Sequence, residues 1–145
     1  MVRIVRLSDK VSARIEGEDP LDNLDLTDLA ASLAQHLQAA SNYREDARVF
    51  AERANVEKRK AAEMRALIEE VRARRDNPPA KKSRMDPLDS YDEHALAAQA
   101  GQHDRNADKF TRDSSEYTAK AEREQRLSDE TQRLISQVQK RQKQR

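Results

Sequence analysis

Three histidines, His36, His94 and His103, are the side chains in this sequence best suited to acid–base or metal chemistry. His36 and His103 stand 67 residues apart, and so do two glutamates, Glu57 and Glu124. An imidazole set against a carboxylate favours the charged form of both groups, and such a pair can act as a pH-sensitive latch or contribute to a metal site. In a helical seam the same pair has a simpler role: it is a polar layer that fixes register and direction. The Glu-x-x-His spacing of di-iron bundles is absent. His94 follows Asp92 and Glu93 and reads as a surface residue at the opening of a helix. The chain has no Cys, which excludes disulfides, thiolate zinc and a Cys nucleophile. Serines and aspartates are plentiful, but long helices offer no cleft to exclude water or hold an oxyanion. The expectation is a protein that is not an enzyme, with no catalytic residues, no metal and no cofactor.

The elements that would position these residues follow from an internal repeat. A shift of 67 aligns residues 19–75 on 86–142 without a gap, with 20 identities in 57 positions. Composition bias alone would give roughly five. Asp19-Pro20-Leu21-Asp22 falls on Asp86-Pro87-Leu88-Asp89, and Leu67-Ile68 with Val71 falls on Leu134-Ile135 with Val138. Each copy reads as one long helix. Leu24 to Asp76 holds no Gly or Pro, and after Leu88 only Gly101 interrupts. Carboxylates crowd the opening of each copy (Asp22, Asp25, Asp28; Asp89, Asp92, Glu93) and basic residues crowd the close, as the helix dipole favours. Asn77-Pro78-Pro79 stops the first helix. A helix of about 49 residues runs roughly 73 Å.

The fold expected is all-α: two long helices from an internal duplication, forming an antiparallel Ala-rich coiled-coil hairpin, with a short N-terminal β-hairpin or extended arm. Its divisions are the arm at 1–18, the first repeat at 19–76, a Pro-containing basic turn at 77–87, and the second repeat with a basic tail at 88–145. From Ala40 the apolar positions step by three and four. The seam comprises Ala40, Tyr43, Ala47, Phe50, Ala54 and Ala61 on one helix, and Ala107, Phe110, Ser114, Tyr117 and Ala121 on the other. Small residues every seven positions let two backbones approach near the lower end of the usual 8–10 Å spacing. A loop centred near Ala80 makes facing residues sum to about 160. That sum sets Tyr43 against Tyr117, Phe50 against Phe110, His36 against Glu124 and Glu57 against His103.

The arm carries Val2, Ile4, Leu7, Val11 and Ile15, a pattern that suggests two short strands with a turn at Ser8-Asp9-Lys10. An isolated strand pair is marginal in water and needs a partner. The turn between the helices is basic, with Arg72, Arg74, Arg75, Lys81, Lys82 and Arg84 available to phosphate or to a protein partner. Lys+Arg total 28 and Asp+Glu 27, so net charge names no partner. Mixed signs along both helices disfavour a general nucleic-acid binder.

No stretch approaches the roughly 18 apolar residues of a membrane span, and the first residues lack the apolar run of a signal peptide. The expected setting is cytoplasmic, or within a virion or intracellular assembly, without contact with a membrane. Apolar residues off the seam, Leu37, Val49 and Val56 among them, suggest packing against another protein, since two helices rarely bury enough to stand alone. The leading expectation is a structural or assembly protein that packs against copies of itself or against a larger assembly such as a virion, phage particle or filament. The alternatives are a nucleic-acid-binding or packaging accessory that uses the basic turn and tail, and an adaptor or chaperone that binds a partner helix.

Overall fold

The computed structural model describes residues 20–78 and 87–144. Among these residues there is no strand, and the two long helices pack against each other as a hairpin. The arm at 1–18, with Val2, Ile4, Leu7, Val11 and Ile15, lies outside the described residues, as do Lys81, Lys82 and Arg84 of the turn.

Each Asp-Pro motif leads into a short 3₁₀ turn, Pro20–Asn23 and Pro87–Ser90, rather than directly into the helix. Helix α1 then runs from Leu26 to Asp76 and helix α2 from Glu93 to Lys143, 51 residues each. Asp22 and Asp89 therefore precede the helices instead of lying in their first turns. Proline's fixed φ suits the tight turn, and the helix begins where a capping carboxylate becomes available. That carboxylate is Asp25 in α1, which accepts from the Thr27 backbone N–H at 2.9 Å, and Asp92 in α2, which accepts from the His94 N–H at 3.0 Å. Each satisfies one of the donors that a helix start leaves orphaned. Helix α1 ends at Asp76, where Asn77 is followed by Pro78 and steered out of the helical region. Arg74 and Arg75 close α1, and Lys140, Arg141 and Lys143 close α2, against the negative end of each dipole.

The chain divides into two compact units, and each takes part of both helices. Among the described residues, one unit combines those up to Glu45 with those from Tyr117 onward, and the other takes those between Asp46 and Glu116. Both helices contribute to each unit, because a lone helix buries side chains only against a neighbour. In the first unit Leu24, Leu29 and Val138 form a buried cluster, and Leu21, Leu26, Leu134 and Ile135 pack around it. Ala40, Ala121, Ser128 and Thr131 are also buried there. The two buried hydroxyls donate within their own helix, Ser128 to the Gln125 carbonyl at 2.8 Å and Thr131 to the Leu127 carbonyl at 2.7 Å, so neither is left unpaired. In the second unit the buried set is Ala47, Ala54, Ala61, Ile68, Leu96, Ala100 and Ala107.

Gly101 lies inside α2 with ordinary helical neighbours. A Cβ added there would meet only the Arg105 guanidinium, at 3.6 Å, an ordinary contact with the end of a flexible side chain. Nothing at this site requires glycine, and the residue 67 positions earlier is Ala34. Gly101→Ala is expected to stabilise the fold by about 0.5–1 kcal/mol through the lower entropy of the unfolded chain. A lower melting temperature for the variant would contradict this.

Candidate functional site: the layers of the seam

The seam is built on small residues. Ala40 and Ala61 are fully buried, and Ala54, Ala107 and Ala121 are nearly so. At one such layer the Ser114 hydroxyl reaches across and donates to the Ala47 backbone carbonyl at 2.8 Å. A hydroxyl can reach the opposite main chain only where the two helices approach closely.

Aromatic rings fill the layers beside the small residues. Tyr43 and Tyr117 lie 6.1 Å apart between centroids, tilted by 32°. Phe50 and Phe110 repeat that geometry in the other unit, at 6.1 Å and 31°. A cation lies over at least one ring of each pair. The Lys120 ammonium sits 5.8 Å from the Tyr43 ring and 5.0 Å from the Tyr117 ring, while the Arg53 guanidinium lies 5.2 Å from Phe50. These distances fall within the range of cation–π attraction.

The polar layers bring together the histidines and glutamates. His36 Nδ1 lies 2.6 Å from Glu124 Oε2, and His103 Nδ1 lies 2.5 Å from Glu57 Oε2. All four side chains are largely covered, with exposures from 12% to 22%. The two layers differ in their surroundings. Lys60 Nζ stands 3.9 Å from Glu57, whereas the position 67 residues on is Leu127. The hydrogen bond from His103 holds the Glu57 carboxyl below the usual carboxylate range, and the charges of His103 and Lys60 and a bond from Asn106 add to that against the opposing effect of burial.

Polar contacts also bridge the two helices along the flanks. Arg65 binds Asp104 and lowers the pKa of that carboxyl, chiefly through the hydrogen bond. Arg44 donates to Gln125 at 2.7 Å. Arg75 and Arg72 converge on Glu93, at 3.1 Å and 3.7 Å. Two of the arginines expected to meet phosphate are therefore already engaged with a carboxylate. Arg74 is half-buried near the end of α1. The flank contacts are missing from the heptad reading because Arg65, Asp104, Arg44 and Gln125 lie beside the seam positions. Their long side chains reach partners that no apolar periodicity marks. Asp25 and Asp92 were legible as acidic residues near a helix start, but not as the caps.

Among the described residues no group of three or more His, Asp or Glu side chains is placed to hold a metal ion. His94 is exposed. Compared with protein-family models, with curated proteins and with solved structures, the chain matches none.

Ala54→Leu adds three carbons where the helices meet and is expected to cost about 1–3 kcal/mol by overpacking, whereas the same change at exposed Ala51 is expected to cost less. Equal melting temperatures for the two variants would overturn the close seam at Ala54. A carboxyl with a depressed folded pKa contributes stability above its unfolded pKa of about 4.3, and the contribution is lost as pH falls through the folded value. Glu57→Gln should therefore flatten the loss of stability on acidification below about pH 4.5. Urea melts at a series of pH values measure this, and identical acid slopes for parent and variant would contradict it.

Proposed function

We propose that this protein is a non-enzymatic structural or assembly component, a helical hairpin that packs against copies of itself or against a larger assembly such as a virion, phage particle or filament. The observation that carries this reading is apolar surface left in water. Leu37 is 47% exposed and Val56 38% on α1, whose small and aromatic layers are already engaged with α2, and Tyr91, just before α2, is 42% exposed. A seam of alanines buries little apolar area per residue, so the hairpin gains from covering more. The repeat at an offset of 67 supports an origin by internal duplication, in which each helix descends from one ancestral element. The arm at 1–18 would add a further contact to the assembly, because strand edges obtain their missing hydrogen bonds from a partner. In this reading the His36–Glu124 and Glu57–His103 layers set register rather than perform chemistry. No helix of the described residues is long and apolar enough to cross a membrane.

A nucleic-acid accessory role is the second reading, favoured by Lys140, Arg141 and Lys143 at the close of α2. It is weakened at the turn, where Arg72 and Arg75 face Glu93. An adaptor that sequesters a partner helix would draw on the same exposed apolar residues.

Light scattering of the full chain across a range of concentrations tests the leading reading. A dimer or larger species is expected, and replacing Leu37 and Val56 together by Glu should reduce it while helix content is retained. A heat-resistant monomer at every concentration would sink the proposal. Retention on a nucleic-acid column that falls with salt would favour the second reading.

A further inference from the structure

Four contacts define how α1 meets α2: His36–Glu124, Tyr43–Tyr117, Phe50–Phe110 and Glu57–His103. In every one the residue numbers sum to 160. The residue types on the two helices correspond at the offset of 67: His36 with His103, Tyr43 with Phe110, Phe50 with Tyr117 and Glu57 with Glu124. Setting α1 in the place of α2 therefore changes the sum from 160 to 93 and keeps the chemistry of each layer. His36 would face Glu57 of the other helix, and Tyr43 would face Phe50, each twice over by symmetry. The small positions also match, with Ala40 against Ala54 and Ala47 against its own copy, and beyond them Leu29 would meet Met64.

We propose that the α1 seam is self-complementary and takes α1 of a second copy of this chain, antiparallel and centred on Ala47. This deepens the assembly reading above and rests on it. The flanks hold α1 to its own α2. Arg65 finds Asp104 and Arg44 finds Gln125 in the hairpin, at sums of 169. In the α1–α1 pairing the corresponding sum is 102, which sets Arg65 against Leu37 and Arg44 against Lys58. The seam is permissive and the flank residues choose the partner. Their bonds are exposed, with Arg65 55% and Asp104 43% accessible, and exposed ion pairs are weak. The covalent connection gives α2 the advantage of proximity, so pairing between copies belongs to the concentrated state of an assembly. An α2 released in this way has matching layers of its own, His103 with Glu124 and Phe110 with Tyr117, centred on Ser114. Two twofold interfaces in one chain join copies in an open string rather than a closed pair.

The chain has no Cys, so one introduced thiol reports one contact. In full-length A47C the α1–α1 register brings position 47 onto its own copy, whereas the hairpin sets it near Ser114. In A40C the thiol would face position 54, so A40C alone lacks a partner thiol, while a mixture of A40C and A54C chains supplies one. Mild oxidation of concentrated protein should give several-fold more disulfide-linked dimer from A47C, and from the A40C–A54C mixture, than from A40C alone. Adding D104R to A47C should raise the yield further, since it places like charges together only in the hairpin. Equal yields from A40C and A47C, or no gain from the mixture, would overturn the proposal, and the mixture keeps the test decisive if D104R fails to fold. Light scattering separates the two levels: oligomers that form without the position-47 cross-link overturn this register alone, and a monomer throughout overturns the assembly reading with it.

Discussion

The close approach of two helix backbones is the constraint on which the other features depend. Ala40, Ala54, Ala61, Ala107 and Ala121 are buried where the helices meet, and small side chains at such levels let two main chains approach closely. Close approach brings the Ser114 hydroxyl within hydrogen-bond distance of the Ala47 carbonyl. Larger side chains occupy the layers between. Those layers hold two aromatic pairs and two His–Glu pairs, so the seam joins modest apolar burial to a demanding geometry.

The His–Glu layers give that geometry a direction. A slip of one heptad changes the facing sum from 160 to 153, which would set Glu57 against Leu96 and Glu124 against Leu29. Both carboxylates would then lose their imidazoles while remaining covered, and a buried charge without a partner is strongly unfavourable. The aromatic layers discriminate less: Tyr43 would simply exchange Tyr117 for Phe110. Register is therefore specified by the polar pairs more than by the rings. That follows from desolvation and does not depend on any proton being transferred.

Which residues face one another was legible in the spacing, because a hairpin of straight helices has one free parameter and the loop position supplies it. Helix ends were legible where proline acts: Pro78 follows the last turn of α1 closely. The openings were less so. Asp-Pro precedes both helices, but the tight turns at Pro20–Asn23 and Pro87–Ser90 delay each one, and capping falls to Asp25 and Asp92. The flank contacts from Arg65 and Arg44 could not be read, since a flexible arginine chooses its acceptor in three dimensions. The division into two units that each draw on both helices was likewise invisible in a one-dimensional repeat.

The placement of the aromatic rings has an optical consequence. The chain has no Trp and three Tyr, so its near-ultraviolet signal is almost entirely that of tyrosine. Tyr43 and Tyr117 share one layer beneath the Lys120 ammonium, in the unit that contains both helix segments around them. Tyr91 is exposed to solvent. The equivalent layer of the other unit holds phenylalanines, whose absorption is far weaker. Near-ultraviolet circular dichroism thus watches one half of the molecule, while the far-ultraviolet helical signal sums over both. A difference between the two melting curves would be a direct, label-free sign that the halves open at different temperatures.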